Sequence, residues 1–211
     1  MAFYGEQVFP RVMNRLMDTK ETRKTRARVC GALEGDVVEI GFGTGLNLPH
    51  LPPSVSRLRA VEPSELGVHL AQDRIAASPV LVQIAGLDGQ SLPFRDNSAD
   101  AVLSTWTLCT IPDAVAALRE VGRVLRPGGT LHFVEHGAAP DAGVRKWQDR
   151  LNGVQQRVAC GCNLNRDISS LIESGGLTIS RLDTYYSPGE PKPFGAAYEG
   201  VAKAPDRSRR P

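Results

Sequence analysis

The feature that most restricts the fold of this chain is a glycine-rich turn placed directly behind a short apolar run. Asp36 to Ile40 (DVVEI) reads as a buried strand, and Gly41-Phe42-Gly43-Thr44-Gly45 follows it with no spacer. Glycines at such a turn permit positive φ and let the backbone approach a ligand closely. A dinucleotide-binding turn would read G-x-G-x-x-G and place its third glycine at position 46, which is Leu46 here. The spacing is G-x-G-x-G instead, which disfavours a dehydrogenase. Glu62 ends the next strand, Leu58 to Val61, where a carboxylate can accept hydrogen bonds from both hydroxyls of a ribose.

Beyond the turn, strands and helices alternate. Strands are read at Val80 to Ala85, Ala101 to Ser104, Thr130 to Glu135, Leu177 to Tyr185 and Ala196 to Ala202. Ser64 to Ala77 reads as a helix with Ser64 as its N-cap. Asp113 caps a second helix that carries Val115, Leu118, Val121, Val124 and Leu125 as one stripe and stops at Pro127-Gly128-Gly129. Trp147, Leu151, Val154 and Val158 outline an amphipathic helix, and Asn165 to Ser174 forms another before Gly175-Gly176. Such alternation specifies an α/β fold, a largely parallel sheet with helices on both faces and ligands outside the carboxyl ends of the strands. The chemistry is therefore expected just after Ile40, Val61, Ala85, Ser104 and Glu135.

Ahead of the sheet, Tyr4 to about Cys30 reads as helix. Val8, Val12 and Leu16, with Phe9, Met13 and Met17, form its apolar stripe. Lys20, Arg23, Lys24, Arg26 and Arg28 crowd its second half as a solvated basic face. The chain divides into an N-terminal helical cap (1–30), one catalytic-type domain (31–202) and a flexible tail (203–211).

Composition excludes several classes. A length of 211 residues suits one domain, and 41% hydrophobic residues fit a soluble globular chain. With 25 basic and 23 acidic residues the net charge is only +2, so no nucleic-acid partner is expected. Four cysteines are too few for a disulfide scaffold. Only Cys160 and Cys162 are close in sequence, and no second pair completes a zinc site, so no metal is expected. There is no signal-peptide core and no run near the ~20 apolar residues of a membrane-spanning helix. A cytoplasmic monomer or homodimer is the expectation.

Five stretches together carry a resemblance: VEIGFGTGLN around the turn, VEP around Glu62, AGLDGQSLPF ending at Phe94, DNSADAVLS, and LREVGRVLRPGG. They resemble the successive motifs of class I S-adenosylmethionine-dependent methyltransferases, over roughly residues 35 to 202. The resemblance implies a Rossmann-like seven-stranded sheet of order 3-2-1-4-5-7-6, mostly parallel with the last strand antiparallel, and S-adenosyl-L-methionine as cofactor. It implies that Gly41, Gly43 and Gly45 pack under the methionine part of the cofactor. Glu39 would orient its amino group, and Glu62 would hold the ribose. Asp88 would meet the adenine amino group, with Leu87 and Gly89 covering the ring. Thr105 and Trp106 would wall the methionine moiety and the methyl-transfer channel.

Three further stretches, Leu108-Cys109-Thr110, Phe133-Val134-Glu135-His136 and Gly161-Cys162-Asn163-Leu164-Asn165-Arg166, narrow the resemblance. They are similar to the branch whose members methylate alkyl thiols and sulfide, which implies a small-molecule thiol as acceptor. A quinone- or lipid-type C/O-methyltransferase, or a non-catalytic S-adenosylmethionine-binding protein, is the alternative. His136, at the carboxyl end of its strand, is the candidate to assist proton removal. Cys109, Trp147, Cys162, Asn163 and Arg166 are the candidate acceptor-site residues. His132, within the strand, is expected to be core.

Overall fold

The structure is a computed structural model, described over residues 3–86 and 88–205. Residues Tyr4–Val8 form a π-helical turn, followed by α1 (Phe9–Leu16), α2 (Lys20–Cys30), β1 (Gly35–Ile40) and β2 (Val55–Val61). The expected helix from Tyr4 to Cys30 is thus broken at Met17 to Thr19. The break has a local cause: Thr19 caps α2, and Thr19 and Thr22 satisfy each other's amides in a capping box. Next come α3 (Glu65–Leu70), α4 (Gln72–Ala76), β3 (Leu81–Gly86), β4 (Ala99–Thr105) and α5 (Ala114–Val124). Ser64 and Asp113 act as the side-chain caps of α3 and α5. The chain closes with β5 (Leu125–His136), α6 (Ala142–Val158), α7 (Ile168–Ser174), β6 (Thr178–Tyr186), the short α8 (Lys192–Gly195) and β7 (Ala196–Lys203). Asp167 is the cap of α7, which therefore begins three residues later than the expected Asn165.

The strands form one seven-stranded sheet in the order β3-β2-β1-β4-β5-β7-β6. The pairs among β1 to β5 are parallel, while β7 runs antiparallel to both β5 and β6. Period-two alternation explains why helices cover both faces. Val38, Val102 and Phe133 pack against Leu118, Val121 and Ile172 of α5 and α7. Their neighbours Val37, Leu103 and Val134 pack on the other face with Val29 and Cys30 of α2.

Two expectations about the edges need correction. Lys203, assigned to the flexible tail, completes the pairing of β7, and the Ala204 amide donates to Gly129 O at 3.0 Å. In α6 the expected apolar stripe faces outward: Trp147, Val154 and Val158 are all more than half exposed. The inward residue is Gln148, whose side chain bonds the backbone of Gly137, Ala139 and Pro193. A buried amide that meets three backbone groups docks this helix where an apolar stripe was expected. Among the described residues, no helix is long and apolar enough to cross a membrane.

Candidate active site

Register places Ile40 beside Val61 and Ser104, and Thr105 beside Val134, so the carboxyl ends of four strands meet at one edge. Gly41 and Gly43 have φ of +72° and +58°. A Cβ at Gly41 would run into Thr107 Oγ1, so only glycine fits that backbone against the loop after β4. The Glu62 carboxylate ties the turn to β2, accepting from Gly43 N at 2.6 Å and Ser64 N at 2.8 Å. Burial raises its pKa against those two amides.

Behind the turn lies a buried polar set. Asn47 Nδ2 donates to Glu39 Oε1 at 2.7 Å and to Thr105 Oγ1 at 3.0 Å, while its Oδ1 accepts from Arg26 Nη1 at 2.7 Å. Burial pushes the Glu39 carboxyl up to about 8, opposed by Asn47 and Arg26, and draws the Arg26 guanidinium down to about 10. Glu39 Oε2 and Arg26 Nε are buried with no partner. Buried polar atoms are almost always paired, so this orphaned donor and acceptor mark a place for a ligand. The amino-acid end of S-adenosylmethionine offers a carboxylate to the one and an amine to the other, so the residues fit the cofactor that the resemblance implies.

Trp106 adds a second irregularity, with φ of +52° at the end of β4. A bulky residue there is an outlier and is held by its surroundings: its amide donates to Val134 O, and Arg26 stacks 4.8 Å over its ring. The loop it opens is organised from below by Glu135, fully buried, which accepts from Ser104 Oγ at 2.6 Å and from the amides of Thr107 and Cys109. Beyond Trp106 opens a cleft of about 940 Å³ between α2 and the β6–β7 connection, walled also by Met17, Thr22, Tyr185, Tyr186 and Glu190.

The adenine-side residues are spread more loosely. Leu87 lies outside the described residues. Asp88 is exposed, with its carboxylate accepting from the Gln90 amide at 2.8 Å. Gly89 faces Ile111 and Ile40.

Of the acceptor-site candidates, four converge with His136 and one does not. Cys109 and Cys162 have their sulfurs 3.4 Å apart, and with His136 they place their sulfur and nitrogen atoms within 4.8 Å of one another. Cys162 sits below the usual thiol range through its pairing with Cys109 and then with His136, while Cys109 is pushed up by that same pairing and by burial. His136 is raised by Cys162, against burial. Asn163 and Arg166 act on backbone: Asn163 N and Nδ2 donate to Cys109 O, and the Arg166 guanidinium donates to the carbonyls of Leu108, Ile111 and Pro112. Arg166 therefore braces the Cys109 loop. Trp147 is 55% exposed, stacked under Arg150 and apart from the cleft walls. His132 is buried in the sheet beneath Val29 O.

Sequence reasoning missed Arg26, Asn47 and Glu135. Arg26 has a readable signal: it alone among the basic residues of α2 shares the buried face of Thr22, Val29 and Cys30 at helical spacing. Glu135 carried no such signal beyond its place at a strand end.

Residues 38–133 match the family described as a methyltransferase domain. The chain is 30% identical over 199 residues to thiol S-methyltransferase TMT1B of Homo sapiens, covering 90% of this chain and 80% of that protein. It is 32% identical over 158 residues to thiol S-methyltransferase TMT1A of Homo sapiens, covering 72% of this chain and 64% of the relative's own length. A demethylmenaquinone methyltransferase of Corynebacterium kroppenstedtii is 35% identical over 119 residues, 56% of this chain and 49% of that one. Among solved structures, a SAM-dependent methyltransferase of Thermotoga maritima matches with a TM-score of 0.67 at 22% identity, over 93% of this chain and 98% of that one. One from Aquifex aeolicus matches at 0.65 and 15%, over 93% and 98%. At these identities the structures speak to the fold.

Proposed function

The chain belongs to the class I S-adenosylmethionine-dependent methyltransferases, and from that membership we propose that it methylates the sulfur of a small thiol in a reducing, cytoplasmic setting. The observation that carries the acceptor is the similarity to thiol S-methyltransferases along 90% of the chain, including the segments that bear His136 and Cys162. When bound, S-adenosylmethionine supplies an electrophilic methyl group on a sulfonium sulfur. Arg26 Nε and Glu39 Oε2 would hold the two ends of its amino-acid part, with Asn47 and Thr105 fixing their geometry. Glu62 would accept from the ribose with the lone pairs that the Gly43 and Ser64 amides leave free, and Asp88 and Gly89 would border the adenine.

Trp106 separates this cradle from the cleft, so the acceptor enters on the far side of its ring. Alignment of nucleophile, methyl and leaving sulfur in a closed site contributes ~7–11 kcal/mol to such reactions. A thiol has a pKa near ~8.5, so the proton to be removed is weakly held. We place its departure at the cluster where His136, Cys109 and Cys162 stand together. Residues 3–30 would act as the cap of the site: Asn14 accepts from Thr44 Oγ1 at 2.8 Å over the glycine turn, and Tyr4 donates to Val158 O at the end of α6.

The test is turnover with a panel of alkyl thiols and sulfide, reading S-adenosylhomocysteine release and the methylated product. Release with thiols supports the reading. Release only with quinols or lipid headgroups would transfer it to a carbon or oxygen acceptor, and cofactor binding without release would make the chain a binding protein.

A further inference from the structure

Cys109, His136 and Cys162 come from three separate segments, the loop after β4, the end of β5 and the turn after α6, and meet only in the fold. Their convergence is built. Asn163 clamps the Cys109 carbonyl twice, at 2.9 and 3.0 Å, Arg166 braces the carbonyls around it, and buried Glu135 holds the Cys109 amide. None of the three belongs to the polar set that cradles the cofactor, and all four cysteines of the chain are free thiols.

Two thiolate sulfurs and one imidazole nitrogen form the donor set of an open tetrahedral zinc centre, three protein ligands and one vacant position. With Zn–S bonds of ~2.3 Å, tetrahedral geometry sets two sulfurs about 3.8 Å apart. The observed 3.4 Å asks for a small separation and no rebuilding of the backbone. Both cysteines are buried while His136 is half-buried, so the vacant side is the side of the ring. Glu190, a wall of the cleft, is close enough for its charge to act on that ring.

We propose that Cys109, His136 and Cys162 bind a zinc-class divalent ion whose fourth position takes the sulfur of the acceptor. The inference rests on the thiol reading and specifies how the cluster performs it. An acceptor thiol that enters the fourth position releases its proton to solvent and remains as a metal-bound thiolate, since a coordinated thiol is deprotonated outright. That sulfur attacks the methyl carbon, one carbon–sulfur bond forms as the sulfonium carbon–sulfur bond breaks, and S-adenosylhomocysteine departs. The product is a neutral thioether, a far weaker ligand than a thiolate, which frees the position again.

The experiment uses the full chain, purified under reducing conditions without a chelating tag. Zinc is measured directly, and cobalt(II) serves as the spectroscopic probe. Near one equivalent of zinc is expected, together with thiolate-to-cobalt charge transfer and the intense visible bands of four-coordinate cobalt. Propanethiol should strengthen the charge-transfer band as a third sulfur binds. Cys162→Ser and Cys109→Ser should each lower cobalt affinity at least ~10–100-fold, the scale on which even outer-shell partners act. Cys160→Ser, outside the cluster, should leave affinity and spectrum unchanged. If Cys109→Ser fails to fold by circular dichroism, His136→Ala reads the same loss from the third ligand.

An aqueous six-coordinate cobalt spectrum, identical in the wild type and Cys162→Ser, overturns the site. So does a purified protein that holds a Cys109–Cys162 disulfide and takes up no metal after reduction. The two readings fail separately. Thiol methylation that survives both chelation and Cys162→Ser removes the metal and leaves the thiol reading. A four-coordinate site whose spectrum ignores propanethiol, in a protein that methylates no thiol, removes the acceptor role together with that reading.

Discussion

Buried acids and arginines occur at both ends of the sheet, and they are finished differently. At the amino ends of the strands, Asp36 accepts from Arg59 Nε at 2.8 Å and from Arg57, Arg59 Nη2 reaches Ser98 O, and Asp100 takes the Asp36 amide and Arg126. At the carboxyl ends, Glu39, Glu62 and Glu135 hold amides and hydroxyls, and Arg26 bonds only neutral groups. Among the described residues, the two buried side-chain nitrogen or oxygen atoms that lack a partner both lie at this end. The same residue types therefore serve two purposes. A closed ion-pair set stabilises the sheet where the chain has nothing to bind. An open set leaves valence where a ligand must enter.

The sharpest way to break the comparison is Asp36→Ala. It leaves Arg59, whose side chain is 8% exposed, without its carboxylate. Removal of one partner of a buried pair costs ~3–5 kcal/mol. Urea unfolding should show that loss, while calorimetry on the folded protein shows unaltered cofactor affinity. A loss under about 1 kcal/mol, the range of exposed pairs, would mean the amino-end network is ornamental to stability.

At the other end the order inverts. Arg26→Met keeps a long apolar side chain against Trp106 and removes a charge that is costly to bury, but it leaves Asn47 Oδ1 without its donor, so thermal stability should change far less than in Asp36→Ala. Cofactor affinity should fall by about 1.5–3 kcal/mol, the scale for hydrogen bonds to charged groups. Glu62→Ala should weaken cofactor binding by ~1–3 kcal/mol and also loosen the glycine turn it ties down. Unchanged calorimetric affinity in either variant would remove that residue from the cradle.

Protonation sharpens the contrast further. Burial holds the folded-state pKa of Glu39 at about 8 against an ordinary 4.5. Between those values the folded protein keeps a proton that the unfolded chain has lost. Stability of the cofactor-free protein therefore falls as pH rises through that window and levels off above about 8. An amine on the cofactor favours the carboxylate form, so cofactor affinity should climb over the upper part of the same window. Glu39→Gln should flatten both trends, and unfolding curves collected across pH in the absence of cofactor provide the check.

How much was legible beforehand follows the same division. The strand and helix alternation, the glycine turn and Glu62 are local in sequence, so period and spacing reveal them, whereas the role of Glu39 came only with the family resemblance. Arg26 was read as one more charge on a basic face, because composition hides which residue of α2 turns inward. Cys109, His136 and Cys162 lie in three segments, and no spacing rule brings them together. Trp147 misled for the opposite reason: α6 shows a helical apolar period, but buried Gln148 faces the sheet and the stripe faces out. Periodicity finds faces, and only tertiary packing decides which face is covered.

The smallest expected effect belongs to the strap over the glycine turn, and it asks whether the open end is also a gated one. Asn14 accepts from Thr44 Oγ1 at 2.8 Å, a partly buried contact between α1 and the turn. Its loss in Asn14→Ala should cost ~0.5–1.5 kcal/mol, the net worth of an ordinary hydrogen bond. If α1 only rests on the fold, that cost appears as lost stability with or without cofactor. If α1 retains the cofactor, it appears as faster cofactor release at an unchanged association rate, because the bond must open before the ligand leaves. Stopped-flow release kinetics separate the two. Arg23→Ala is the matched control, since its pair with Asp18 is solvent-exposed on α2 and should leave both rates where they are.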